Sequence, residues 1–521
     1  MSLNNKVLIV EDESPAAVVT DTTRRPGDPK MKTKGTDSRR ITWAFYLLLA
    51  LAAVSVAAIF LAPTRQLVGA SAVVLMLVLM FMKLPIAFSL IIPGVVGLFS
   101  LSGFRAMENI MTGTPFSATA SWSLSVLPMF ILMGMLLASS GITTRVYEAA
   151  RLWTGWLPGG LAIGTNIAGA GLAAVSGSTI GNAYALGRVG VPEMLRAGYD
   201  RRLAVGSVTA AGLPGQVIPP STFLIIVAGI TGVSVGPQLI AGIVPGVAMV
   251  VLFCLTILLL AIMWPSMIGR GKKASTKSAA AAASSQVTAT WGERIRSLGG
   301  VWPILVLFVG IFGLMFGGVL TATEAGASGA FIAVLLTWFF RRKEKPFKFI
   351  LKGAVETVSS VGGIFFVLIG AHVLTQLIAV TRIGTAFSDW IVSLGLERVG
   401  FLLVVMGVYL VLGMFMDPLA ILLLTIPILQ PTLVSLDINL LWFGVFAVLM
   451  GELAIITPPV GVLTFIMHGL VQDPAVNLGH KITLKDVFQS VGLFMPAILV
   501  LVTLMIFFPE TVTWLPSLMV D

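Results

Sequence analysis

Two short stretches set prolines and glycines inside long apolar segments. Gly212 to Ser221 reads GLPGQVIPPS, and Glu452 to Val462 reads ELAIITPPVGV. Pro214, Pro219, Pro220, Pro458 and Pro459 supply no amide hydrogen, and Gly212, Gly215 and Gly461 weaken a helix, so neither segment runs as an unbroken helix. Backbone freed in this way is tolerated at membrane depth only where it packs in protein or lines a cavity, and in transporters such breaks hold substrate and ions. Each break follows an apolar stretch interrupted by small or turn-forming residues. Ser176-Gly177-Ser178 precedes the first, and GMFMDP, from Gly413 to Pro418, precedes the second. A single Pro-Pro reads as a packing kink; two in the same order read as a duplicated binding half. Two acids fall in these stretches, Asp417 and Glu452. An acid inside a membrane segment is costly and functional by default, with capping of a hairpin or half-helix as the competing role. Glu324, in TATEAGA, reads as a helix-start residue.

Composition sets the surroundings. With 57% hydrophobic and 11% charged residues over 521 positions, the chain lacks the polar surface of a soluble domain of this size and is a polytopic membrane protein. Cys254 is the one cysteine, and His372, His468 and His480 share no ligand spacing, which argues against a disulfide framework or a metal cluster. No zinc-binding His pair and no phosphate loop ending in Lys-Ser/Thr is present, so the chain is not read as an enzyme and no cofactor is expected. The net charge of +10 follows membrane topology rather than nucleic acid.

The elements that hold these stretches are apolar runs. About eleven are long enough to span, each needing about 20 residues, near 41–63, 67–82, 84–101, 120–140, 203–231, 238–266, 301–320, 324–340, 353–379, 440–469 and 487–508. Runs at 161–187 and 399–433 have turn formers at mid-length and read as re-entrant hairpins whose limbs reach about halfway. With the N-terminus inside, 29 of the 33 Lys and Arg fall on cytoplasmic segments; Arg65, Arg105, Arg382 and Arg398 do not. This split requires the two hairpins to enter from opposite faces, which is an inverted repeat. The organisation is then a basic tail over 1–40, disordered by composition, a first span over 41–63, a first repeat over 64–266 with hairpin 161–187 and broken helix 203–231, a cytoplasmic linker over 267–300 and a second repeat over 301–521 with hairpin 399–433 and broken helix 440–469. Amphipathic connectors at 141–157 and 381–398 precede the hairpins. The C-terminus falls on the periplasmic side.

LPMFILMGMLLASSGI, AAVSGSTIGNAYALGRVGVPEMLRAGYDRR, AAGLPGQVIPPS, TATEAGA and GELAIITPPVGV together resemble the large membrane subunit, the M or DctM-type permease, of tripartite ATP-independent periplasmic (TRAP) transporters. The resemblance covers roughly 67–508. The tail and first span precede the family's usual start, and GLPGQVIPPS carries Gln216 where GTLGILIPPS is more usual.

The resemblance implies an elevator-type, Na⁺-coupled carrier of the bacterial inner membrane. It would import an organic acid, a C4-dicarboxylate or a related carboxylate or sulfonate, delivered by a periplasmic binding protein. The small four-helix Q-type membrane subunit is expected as a separate chain. By similarity, one Na⁺ site joins Ser176, Ser178 and Asn182 to Gly212, Gly215 and Pro219, and a second joins Gly413, Met416 and Asp417 to Thr457, Pro458 and Gly461. Substrate would touch Ser176, Ser221, Thr222 and Thr457. One observation on the residues agrees: the stretches 161–187, 203–266, 301–340, 353–381 and 399–480 hold no Lys or Arg. A carboxylate there must be neutralised by half-helix ends or by Na⁺ held on carbonyls and hydroxyls, which suit a hard cation. The alternative is a stand-alone ion exchanger or organic-anion carrier of a related hairpin fold.

Overall fold

The structure, a computed structural model, describes residues 37–270 and 289–519. All but the last four residues of the expected basic tail, and most of the expected linker, lie outside them. Contacts divide the chain into Met1–Leu49 and Ala50–Asp521. Of the first unit the described part is the start of α1, Asp37–Leu61; everything below concerns the second.

The described chain is helical throughout. Seven of its helices are long and apolar enough to cross a membrane, or eight if Trp291–Leu298 and Trp302–Phe316, bent by 52°, form one span. The further spans expected from hydropathy correspond to shorter apolar helices of 10–17 residues, several of them halves of a broken segment. Composition, not secondary structure, drives this. Leu, Ile, Val and Phe cover every face, and side chains such as Val309, Val355 and Phe331 stay more than half exposed, as surfaces facing acyl chains do.

One set of helices precedes and flanks the sites. It comprises α2 (Arg65–Phe81), α3 (Ile86–Thr119) and α4 (Val126–Ser139). The expected span at 84–101 ends near Gly103, whose φ of 76° and ψ of 176° break the helix and kink the chain, and a second helical stretch runs on to Thr119. Later come α13 (Trp302–Phe316), α14 (Ala322–Phe340) and the 36-residue α15 (Pro346–Thr381). α15 packs along α3 and α4, and α14 packs along α4. The approaches are close because glycines face the partner: a Cβ on Gly94 would lie 2.7 Å from Val373, and one on Gly97 2.6 Å from Leu377.

The element order around the two breaks recurs. First come the amphipathic α5 (Ile142–Thr154), then α6 (Gly160–Ser176) and α7 (Thr179–Arg196) as a helical hairpin. α8 (Arg201–Gly212) and α9 (Thr222–Thr231) follow as two halves of a broken segment. After α10 (Val235–Ala241), α11 (Ile243–Met263) and α12 (Trp291–Leu298), the second set begins at α16 (Ile383–Ser393). It continues with the hairpin α17 (Arg398–Gly413) and α18 (Pro418–Ser435), and the broken pair α19 (Leu440–Ala454) and α20 (Val462–Leu470). The hairpin limbs are longer than the apolar pattern indicated. α6 and α7 have 17 and 18 residues, or about 25 Å each at 1.5 Å per residue. The helix outlasts its apolar run because its polar end is anchored: Arg151 meets Glu193 at 2.7 Å. After the one-turn α21 (Pro474–Asn477), α22 (Leu484–Gly492) and α23 (Met495–Phe507) close the described chain apart from short turns.

Candidate functional site

The first hairpin turns on three residues. Gly177 takes the left-handed conformation, φ 55°, that ends α6. Ser178 then caps α7, its hydroxyl accepting the Gly181 amide at 3.2 Å. The Ser176 hydroxyl donates to Asn182 Oδ1 at 2.7 Å and accepts the Ser178 amide at 3.3 Å, so the tip is a small closed polar ring.

This tip rests on the first break. A Cβ on Gly177 would collide with the Pro220 carbonyl oxygen. One on Gly212 would lie 2.8 Å from the Thr179 carbonyl oxygen, and one on Gly215 would lie 2.9 Å from the Thr179 amide and 3.0 Å from Asn182 Nδ2. The break consists of a 3-10 turn over Leu213–Gln216 and irregular backbone up to Ser221. Gln216 stitches it together. Its side-chain oxygen accepts the Phe223 amide at 3.3 Å, and its carbonyl accepts the Ser221 hydroxyl, which also accepts the Leu224 amide at 3.0 Å to cap α9.

The second half is built alike. Gly413 ends α17, and a Cβ there would lie 2.7 Å from the Ala454 Cα at the end of α19. Asp417 caps α18 by accepting the Leu419 amide at 2.9 Å, with Pro418 at the first helical position. Met416 is buried beside it. In the second break, Gly461 sits at φ 31°, its amide donates to the Thr457 carbonyl at 3.1 Å, and the Thr464 hydroxyl donates to the Ile456 carbonyl at 3.4 Å.

A buried side-chain bond joins the halves between the tip and the second break. Thr179 Oγ1, at the start of α7, donates to Glu452 Oε2 on α19 at 2.8 Å, and both residues are buried. Two buried polar atoms here, Asn182 Nδ2 and Glu452 Oε1, have no hydrogen-bond partner. Packing is reciprocal around this point: α7 lies against α20, and α18 against α9, while α19 touches both α9 and the 3-10 turn of the first break.

The structure therefore groups Ser176, Ser178 and Asn182 with Gly212, Gly215 and the Pro219-Pro220 pair, and groups Gly413 with the end of α19, just before Thr457, Pro458 and Gly461. Of the four residues expected to face substrate, Ser221 and Thr457 are buried with their hydroxyl hydrogens committed, to the Gln216 carbonyl and to the Leu453 carbonyl (2.7 Å). Ser176 and Thr222 are half-buried. Asp417 is a cap, and Glu324 is one too, in a reciprocal capping box with Thr321. Sequence reasoning missed Thr179 and the stitching role of Gln216. Thr179 had a signal, as the hydroxyl directly after the Ser-Gly-Ser tip. The ion pairs of the described residues, such as Arg151 with Glu193 and Arg201 with Asp486 at 3.1 Å, lie outside the cluster.

Comparison with known proteins bears on what such a site serves. The pattern described as "Tripartite ATP-independent periplasmic transporter, DctM component" matches residues 73–511. A C4-dicarboxylate TRAP transporter large permease protein DctM of Vibrio cholerae is 30% identical over 468 residues, covering 86% of this chain and 97% of that protein. A sialic acid TRAP transporter permease protein, SiaT, of Haemophilus influenzae is 27% identical over 86% of this chain and 68% of its own length. Among solved structures, the Alcanivorax borkumensis YdaH transporter shares the fold at a TM-score of 0.56 and 15% identity, covering 78% of this chain and 89% of that one. Neisseria gonorrhoeae MtrF does so at 0.53 and 13%, covering 86% and 96%. With a family match over most of its length and a relative at 30% identity, the chain belongs to the DctM family of TRAP transporter large permeases, membrane carrier subunits and not enzymes.

Proposed function

We propose that this chain carries an organic acid across the bacterial inner membrane with Na⁺, taking it from a periplasmic binding protein and working with a separate small Q-type subunit. The relatives at hand are named for C4-dicarboxylate and sialic acid, both acids, and the substrate class is carried over from them. The observation that carries the coupling is a polar cluster of hydroxyls, carbonyls and two acids that holds no basic side chain. An anion entering it needs a cation. Unwound backbone plus Ser, Thr and Asn oxygens suits Na⁺, with Ser176, Ser178, Asn182, Gly212, Gly215 and Pro219 around one ion. Gly413, Met416, Asp417, Thr457, Pro458 and Gly461 surround the other, and Ser176 and Thr222 are the hydroxyls open to substrate.

The recurring element order supports an inverted repeat, with α6–α7 and α17–α18 as re-entrant hairpins entering from opposite faces and about eleven spans in all. The distribution of Lys and Arg supports a cytoplasmic N-terminus and a periplasmic C-terminus. The test is uptake by proteoliposomes holding this chain and its two partners, across a panel of organic acids. Accumulation is expected to cease when K⁺ replaces Na⁺; undiminished uptake in K⁺ overturns the coupling.

A further inference from the structure

Three segments far apart in sequence meet: α5, α12 with the turn after it, and the end of α14. Trp153 Nε1 donates to the Arg294 carbonyl at 3.2 Å, a Cβ on Gly300 would lie 3.4 Å from Arg145, and Arg341 Nε donates to the Ser139 carbonyl at 3.1 Å. Here the guanidinium of Arg145 lies 4.7 Å from the ring centre of Phe340, that of Arg294 5.2 Å from Trp291 and that of Arg342 5.1 Å from Phe339. Arg341 covers Phe349 at 4.7 Å.

Arg145, Arg294 and Arg342 have no carboxylate partner among the described residues. The acids nearby in sequence are mostly occupied: Glu293 caps its own helix by accepting the Thr290 amide at 2.8 Å, and Glu344 binds Arg341 at 2.7 Å, which leaves Glu148. Arg294 Nε is buried with no hydrogen-bond partner. A guanidinium stacked on a ring keeps its N–H edge for a bidentate oxyanion, and phosphate matches that fork. The rings beneath are open, Trp291 being 68% and Phe339 57% exposed, at the level where aromatic belts meet headgroups.

We infer that this rim binds anionic phospholipids, with Arg145, Arg294 and Arg342 each offering N–H groups to a headgroup phosphate and Trp291 and Phe339 lying against the first acyl carbons. The charge is complementary: Arg145 lies in the amphipathic helix that follows the apolar α4, Arg294 in the short helix that precedes the apolar α13, and Arg342 just past the apolar α14. Lipid suits the arrangement because the exposed Trp291 and Phe339 rings set an apolar face beside the charges.

The experiment follows the purified full chain in detergent supplied with phosphatidylglycerol, phosphatidylcholine or glycerol 3-phosphate, reading melting temperature and, by native mass spectrometry, retained lipid. Phosphatidylglycerol is expected to protect the wild type beyond phosphatidylcholine, with glycerol 3-phosphate inert. Each of Arg145→Gln, Arg294→Gln and Arg342→Gln should lower phosphatidylglycerol retention about fivefold. The triple variant should lose the specific protection while melting in phosphatidylcholine as the wild type does. Equal protection of the triple variant overturns the proposal, and so does protection by glycerol 3-phosphate, which would mark a soluble-anion site. Shielding of the three arginines from a guanidine-reactive reagent by the small subunit, in lipid lacking anionic headgroups, also overturns it by marking a protein interface. If the triple variant does not fold, Arg342→Lys alone decides: it keeps the charge and loses the fork, so wild-type retention would defeat the bidentate grip.

Discussion

Thr179 and Glu452 form a side-chain bond that ties the first hairpin tip to the second broken segment, 2.8 Å long and closed to solvent. A buried hydrogen-bond acceptor deprived of its donor keeps its desolvation cost, so Thr179→Val is expected to lower stability by about 2 kcal/mol. Chemical denaturation in detergent checks this, and a variant as stable as wild type would show that the bond contributes nothing. Asp417 separates differently. Asn caps a helix about as well as Asp, whereas Ala loses about 1 kcal/mol of cap. Asp417→Ala should therefore unfold earlier, while Asp417→Asn should fold normally and respond more weakly to Na⁺. An Asn variant with unchanged Na⁺ response leaves the carboxyl as a cap only. At this scale the sequence exposed the acids and the tip, because a carboxyl or a Ser-Gly-Ser run stands out against apolar neighbours. It hid Thr179, whose partner lies in the other half of the chain, beyond any local spacing.

Helix limits were legible where punctuation is chemical. Both breaks fall on their prolines, and both connectors on amphipathic stretches. Hairpin lengths were not, since hydropathy ends at Gly187 while backbone hydrogen bonding and the Arg151 to Glu193 pair carry α7 to Arg196. The glycines between elements give a sharp contrast. A Cβ on Gly169 of α6 would collide with the Ala211 carbonyl oxygen of α8, which is backbone and cannot swing aside, whereas one on Gly362 of α15 would meet nothing within 4 Å. Gly169→Ala is expected to destabilise by about 1–3 kcal/mol, and Gly362→Ala to be neutral or stabilising by up to about 1 kcal/mol through helix propensity. Equal effects in thermal unfolding would contradict this packing of hairpin on broken helix.

For the whole molecule, we propose that the interlocked tips and breaks slide as one body past the other spans, since rocking of two halves would part Thr179 from Glu452. Ala170 of α6 and Phe308 of α13 both pack against the small cluster of Ala173, Ala174, Ile218 and Val250, so this pair is placed to test sliding. On a Cys254→Ser background, Ala170→Cys paired in turn with Cys at Leu305, Phe308 and Phe312 should crosslink at depths that shift with Na⁺ and substrate. Crosslinking at a single depth under every condition defeats sliding. The reciprocal packing also bears on how the protein is made. Thr179 leaves the ribosome 273 residues before its partner, which at about 5–20 residues per second is a wait of roughly 15 to 55 s. During that time the first hairpin stands in the membrane with its tip unfinished. A nascent chain stalled before Glu452 should leave a Cys placed at Thr179, on the Cys254→Ser background, open to a small thiol reagent that the finished protein excludes.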